Sequence, residues 1–109
     1  LAQGGSQVEE GAGPFPKVAV LSYAFDTAGK IGKRVSDVRV LYSGIAVTLD
    51  PVKLYSVVSN NYIRNGGDRY KMFKAAQDVY DFGPDLADIV AEYMAAHAPY
   101  QPYLAGRII

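Results

Sequence analysis

Two stretches early in the chain alternate residue by residue, and that period commits them to a sheet. In residues 18–25, Ala19, Leu21, Tyr23 and Phe25 fall on one face, with Val18, Val20, Ser22 and Ala24 on the other. Successive side chains of a strand point to opposite faces, so alternation marks extended backbone. Both faces are largely apolar here, which predicts a central strand covered on both sides. In residues 34–42, Val38, Val40 and Tyr42 oppose Asp37 and Arg39, the pattern of a strand wet on one face. The connection between them contains Gly29 and Gly32, and the pair is read as a hairpin.

The rest of the chain fills in around that pair. Pro14-Phe15-Pro16 predicts a rigid extended entry, because proline fixes its own φ and disfavours helix before it. Ser43-Gly44 breaks the second strand, residues 45–49 suit another short one, and Asp50-Pro51 makes a turn. Residues 54–59, rich in β-branched and aromatic side chains, read as a buried central strand. Residues 70–76 suit one or two helical turns, and 77–82 are compatible with a short strand. Pro84 fits a first helical position, with Asp85 and Asp88 near the positive end of the dipole. Leu86, Ile89, Val90, Tyr93, Met94 and His97 then recur at helical spacing until Pro99. Met72, Phe73, Tyr93 and Met94 are read as core, and His97 as a cation at the negative helix terminus. The fold class is therefore α+β: a mixed or largely antiparallel sheet of about four or five strands, packed by one long C-terminal helix over residues 84–96. Residues 1–14, polar and glycine-rich, are expected to be loosely ordered.

Composition narrows the function. Eleven basic residues balance eleven acidic ones, giving zero formal net charge. That removes the electrostatic argument for nucleic acid or acidic membrane as a partner, and no apolar run approaches a membrane span. Cysteine is absent and histidine occurs once, so neither a thiolate site nor the ligand set of a two-metal hydrolase can be drawn from these residues. Asp78, Asp81, Asp85 and Asp88 lack calcium-loop spacing and read as a solvated face.

Residues 60–70 are the candidate site. After the apolar run the chain turns polar, exposes Tyr62, passes through Asn65-Gly66-Gly67 and reaches Asp68. The glycines take positive φ at little cost and allow close approach to the backbone. An aromatic face and a carboxylate on either side of such a turn suit a flat, hydroxylated ligand such as a nucleoside. Each residue also has a plainer account. Tyr62 is one of nine tyrosines, Asp68 can cap the following turn, Gly66 and Gly67 need only a backbone reason, and Asn60 and Asn61 can pin the loop.

Several motifs in order resemble the C-terminal domain of the 5′-nucleotidase family, which includes bacterial UDP-sugar hydrolases and ecto-5′-nucleotidases. Asp50-Pro51-Val52-Lys53, Tyr55-Ser56-Val57-Val58, Ser59-Asn60-Asn61-Tyr62 and Gly66-Gly67-Asp68-Arg69-Tyr70 are similar to its Asp-Pro-x-Lys, Tyr-x-Val-Val, Thr/Ser-Asn-x-Phe/Tyr and Gly-Gly-Asp-Gly-Tyr/Phe. Phe15-Pro16-Lys17-Val18 and Gly106-Arg107-Ile108 are similar to its Phe-Pro-Gln-Val strand and terminal Gly-Arg-Ile. The resemblance implies that residues 1–109 are the C-terminal part of a substrate-binding domain. It implies base stacking on Tyr62 and ribose contacts at Asp68, with Asn61, Gly66 and Gly67 completing the substrate-binding set and no catalytic or metal-binding residue in this stretch. Catalysis, with two divalent metal ions, then belongs to an N-terminal metallophosphoesterase domain of the parent chain, exported to the periplasm or cell exterior. Four residues depart from the family pattern: Pro14 stands for Arg, Ala19-Val20 for Ser-Gly, and Arg69 for Gly. The alternative reading is a structural or interaction domain that has lost nucleotide recognition, for which Arg69 is the main support.

Overall fold

A computed structural model of the chain describes residues 1–10, 13 and 15–109, and they form two compact units. The first comprises Leu1–Val57 with Ala105–Ile109, the second Val58–Leu104. Of the stretch expected to be loose, residues 11, 12 and 14 lie outside the described residues, and with Pro14 part of the expected extended entry.

The first unit is built on the predicted hairpin. Strands β1 (Leu21–Phe25), β2 (Val35–Tyr42) and β3 (Ile45–Thr48) form an antiparallel sheet in the order β1-β2-β3. Between the pairs Ser22↔Arg39 and Ala24↔Ser36 the second strand carries an extra residue. Asp37 there has φ 48, a bulge that sharpens the local twist. Ser43 and Gly44, with φ 48 and 82, connect β2 to β3 by the two-residue, positive-φ turn whose twist matches flanking strands. The other edge of β1 is met by the chain's own end: Tyr23 and Ile108 form a parallel bridge. Tyr23 N donates to Arg107 O at 2.9 Å, Phe25 N to Ile109 O at 2.7 Å, and Ile109 N to Tyr23 O at 3.1 Å. β1 thus has a neighbour along each edge, but of its residues only Tyr23 is buried, so the two faces are not both covered as the apolar pattern predicted.

Tyr23 is 1% exposed, and its hydroxyl donates to Pro16 O at 2.8 Å. Phe15 packs edge-on to Phe25 with centroids 4.9 Å apart. Within the stretch expected to be loosely ordered, Ala2–Gly5 forms a short helix, α1, and Val8–Glu10 a 3-10 turn. Two contacts hold this segment. A Cβ on Gly5 would stand 2.8 Å from Phe25 Cε2, so glycine alone lets the backbone close on that ring. The buried Arg34 guanidinium donates to Gly5 O at 3.2 Å and Gly29 O at 2.9 Å, and forms a two-pronged ion pair with Glu9.

The expected buried strand at 54–59 is absent. Those residues have no strand assignment, and Leu54 and Val58 are 87% and 99% exposed. A strand requires a neighbour for its backbone groups, and no described residue offers that segment one. Among the described residues the sheet therefore has three strands rather than four or five. Tyr55 instead accepts at its hydroxyl from Asp50 N, 3.0 Å away, closing the Asp-Pro turn from within.

The second unit contains α2 (Asn61–Arg64), two 3-10 segments (Gly67–Arg69 and Lys71–Ala75) and α3 (Leu86–Ala96). Residues 77–82 form no strand, and Asp78 turns there with φ 51. The helix starts two residues later than Pro84, because Asp85 acts as its N-cap and accepts from Ala87 N at 2.8 Å. A carboxylate that satisfies a free helical N–H displaces proline as the boundary residue. His97 closes the far end, its Nδ1 2.8 Å from Tyr93 O and its ring stacked on Tyr93 at 4.1 Å. Met72, Tyr93 and Met94, read as core, are exposed. The buried centre of this unit is Tyr70, whose ring lies 6.0 Å from that of Phe73.

Candidate functional site

The site is assembled on one tight double turn in the second unit. Asn60 caps α2 with its Oδ1, which accepts from Ile63 N at 2.8 Å. That bond pins the loop, one of the two roles the sequence left open for Asn60. Asn61 opens the helix, and its carbonyl accepts both from Asn65 N at 3.0 Å and from Asn65 Nδ2 at 2.8 Å. Gly66 then turns left-handed with φ 88.

The next three residues decide the geometry. Gly67 lies against the Tyr62 ring, and a Cβ there would fall 2.5 Å from Tyr62 Cε1 and 2.6 Å from Cδ1 and Cζ. No real side chain tolerates that approach, so Gly67 is what allows the ring to rest on the backbone. Asp68 and Arg69 are both left-handed, with φ 49 and 65. That pair of unusual dihedrals swings the Asp68 carboxylate back to the ring it has just passed: Tyr62 Oη donates to Asp68 Oδ1 at 3.2 Å. Tyr62 remains 58% exposed, leaving surface for a planar ligand. The structure thus brings Tyr62, Gly66, Gly67 and Asp68 together on one turn, with Asn61 at its base.

A support lies behind the turn. Arg64 Nη1 donates to Phe73 O at 2.9 Å. Its Nε lies 3.2 Å from Asp81 Oδ1, at ion-pair distance without hydrogen-bond alignment. Tyr70 is buried beneath, and burial, with a smaller push from the Asp68 charge, raises its phenol above the ordinary range. Lys74 joins the turn from the following 3-10 segment: a Cβ on Gly66 would stand 3.2 Å from Lys74 Cε. Nothing in the sequence sets Lys74 or Arg64 apart from the chain's other cations, since their positions depend on how the turn folds back.

An α+β chain that presents an aromatic and a carboxylate on a Gly-Gly-Asp turn matches a known class. The chain belongs to the family described as 5'-nucleotidase, C-terminal domain, which matches residues 1–75. Among particular relatives, Trifunctional nucleotide phosphoesterase protein YfkN of Bacillus subtilis (strain 168) is 39% identical over 110 residues, covering 99% of this chain. The 5'-nucleotidase of Homo sapiens is 30% identical over 103 residues, covering 91% of it. The crystal structure of a 5'-nucleotidase precursor from Thermus thermophilus superposes on 99% of the chain with a TM-score of 0.91 and 39% identity. The chain spans 8% and 18% of the length of the two curated relatives and 22% of the solved one.

Proposed function

We propose that this chain is the nucleoside-holding part of a metal-dependent 5′-nucleotidase or UDP-sugar hydrolase. Tyr62 stacks on the base and Asp68 accepts hydrogen bonds from the ribose hydroxyls, while Asn61, Gly66 and Gly67 shape the turn. One observation carries the reading: an exposed ring and a carboxylate are locked together by a 3.2 Å hydrogen bond on a glycine backbone. Aromatic stacking accepts any base, because every base has a π-face. The carboxylate adds a preference for a sugar that can donate.

Hydrolysis is assigned to an N-terminal two-metal phosphoesterase domain of the parent, exported to the periplasm or cell exterior. Among the described residues, no group of three or more His, Cys, Asp or Glu comes together to hold a metal ion. When bound in that domain, the metals would activate water for attack on phosphorus. Tyr62 and Asp68 contribute by fixing the nucleoside, and with it the direction in which the phosphate ester points. The competing reading, a domain that has lost recognition, leaned on Arg69. With φ 65 that residue keeps the backbone conformation a glycine would adopt, so the replacement leaves the turn intact.

An NMR titration of the chain with adenosine, AMP and UDP-glucose tests the reading. Shifts are expected to concentrate in residues 60–70, with no phosphate released. Tyr62→Ala should weaken binding by about fivefold or more, given ~1–3 kcal/mol per stacked base. Metal-dependent phosphatase activity that co-purifies with the chain would contradict the division of labour.

A further inference from the structure

Asparagine occurs at Asn60, Asn61 and Asn65, and only Asn65 precedes a glycine. The backbone nitrogen that follows an asparagine can attack its Cγ and close a five-membered ring. A Cβ on the attacking residue obstructs that approach, and glycine has none. Asn60 and Asn61 are followed by Asn61 and Tyr62, so attack on either must pass a side chain.

Asn65 is exposed and stands as the C-cap of α2. Both reacting groups are held in the folded turn. Asn65 Nδ2 donates to Asn61 O at 2.8 Å, and Gly66 N donates to Ile63 O at 2.9 Å. Attack needs both bonds released, and the element that makes them is slight. The helix has four residues, none of them buried, far short of the length at which an isolated helix is stable. Segments with so little burial open locally at small free-energy cost. Two ordinary hydrogen bonds slow the reaction by about thirtyfold relative to an open chain and leave it running.

We propose that Asn65 is a spontaneous deamidation site whose conversion opens the Gly66-Gly67 turn and releases the Tyr62–Asp68 pair. Gly66 N gives up its proton and bonds to Asn65 Cγ, and Nδ2 leaves with that proton as ammonia. Water then opens the succinimide. Breaking the bond from Gly66 N to Cγ leaves aspartate, and breaking its bond to the main-chain carbonyl carbon leaves isoaspartate. Either product puts a carboxylate against the Asn61 carbonyl where a donor stood. Isoaspartate also adds a carbon to the main chain just before Gly66, so Gly67 loses its fit beneath the Tyr62 ring. The consequence for a ligand rests on the reading of Tyr62 and Asp68 as a nucleoside clamp.

Incubation of the chain at mildly alkaline pH, followed by peptide mapping, tests the proposal. Isoaspartate should accumulate at residue 65 and not at Asn60 or Asn61, about thirtyfold more slowly than in urea-unfolded chain. Asn60→Ala, which removes the cap on Ile63 N, should narrow that gap. The converted fraction, separated by its added negative charge, should bind adenosine about fivefold or more weakly than fresh chain. Asn65→Gln keeps an amide but disfavours the ring, and its aged sample should bind as its fresh one does. An intact Asn65 in folded chain, after unfolded chain has fully converted, overturns the proposal, as does aspartate without isoaspartate. A converted fraction that binds adenosine as fresh chain does overturns it too. Fresh chain that binds no adenosine overturns the clamp reading instead. The turn is then followed by the amide resonances of residues 60–68, and the proposal falls if conversion leaves them unshifted.

Discussion

At the scale of single residues, two departures from the family pattern, Val20 and Arg69, fall at left-handed backbone positions. Val20 stands where the family has glycine, and its φ is 59. A β-branched residue is a genuine outlier there, at a cost of roughly 1–2 kcal/mol. The conformation is retained because Val20 delivers the chain into β1, its carbonyl accepting from Leu41 N at 3.0 Å. Its side chain is mostly exposed and gains little from burial. Val20→Gly should therefore stabilise the chain by about 0.5–1 kcal/mol in urea denaturation, the strain relieved less the entropy of a glycine. In the sequence, Val20 and Arg69 differ from the family pattern only in chemistry, because φ is not written there. Glu9 was equally silent, since its partner Arg34 lies 25 residues away, beyond the reach of any local pattern. The Arg34 hydrogen bonds hold the Glu9 carboxyl down at about 2 from an ordinary 4.5. A depressed carboxylate contributes stability that is present above its unfolded value and lost as pH falls through the folded one. The clamp on α1 should weaken from pH ~4.5 down to ~2, and Glu9→Gln should remove that acid-dependent step in proteolysis of residues 1–10.

At the scale of elements, legibility followed the source of each hydrogen bond. The hairpin β1–β2 was readable from its period because each strand's partner is a near neighbour in sequence. The tail was not: Gly106-Arg107-Ile108 carries no alternation, yet Ile108 pairs with Tyr23. Residues 54–59 show the reverse case, with strand-forming side chains and no partner among the described residues. In α3 the spacing gave the helix correctly, but not the choice of Asp85 over Pro84 as its start. The candidate turn was visible through Gly66-Gly67-Asp68, while the reason for its second glycine required coordinates. Gly67→Ala places a methyl 2.5 Å from the Tyr62 ring and must push it off the backbone. Nucleoside affinity should then fall about tenfold or more as stacking geometry is lost, whereas the melting temperature, set largely elsewhere, should move by only a few degrees.

At the scale of the whole molecule, the first unit depends on its own last residues. Tyr23 and Phe25 exchange three backbone hydrogen bonds with residues 107–109. Deleting residues 105–109 should cost about 2–4 kcal/mol, taking roughly 1 kcal/mol for each bond with some loss of apolar cover. Denaturation should show the transition of the first unit shifted, with the turn around Tyr62 unchanged by NMR. Function has the opposite distribution. The proposed clamp lies wholly in Val58–Leu104, while the chemistry is assigned to a domain beyond these residues. Its family was legible because the turn motifs are specific.

Tyr62 and Asp68 together are proposed to hold a nucleoside. A crystal structure of the chain with adenosine tests it most directly. The adenine ring is expected parallel to Tyr62 at stacking distance, with a ribose hydroxyl within hydrogen-bond reach of Asp68. Adenosine bound away from the Gly66-Gly67 turn, or on it with Tyr62 and Asp68 untouched, would contradict it.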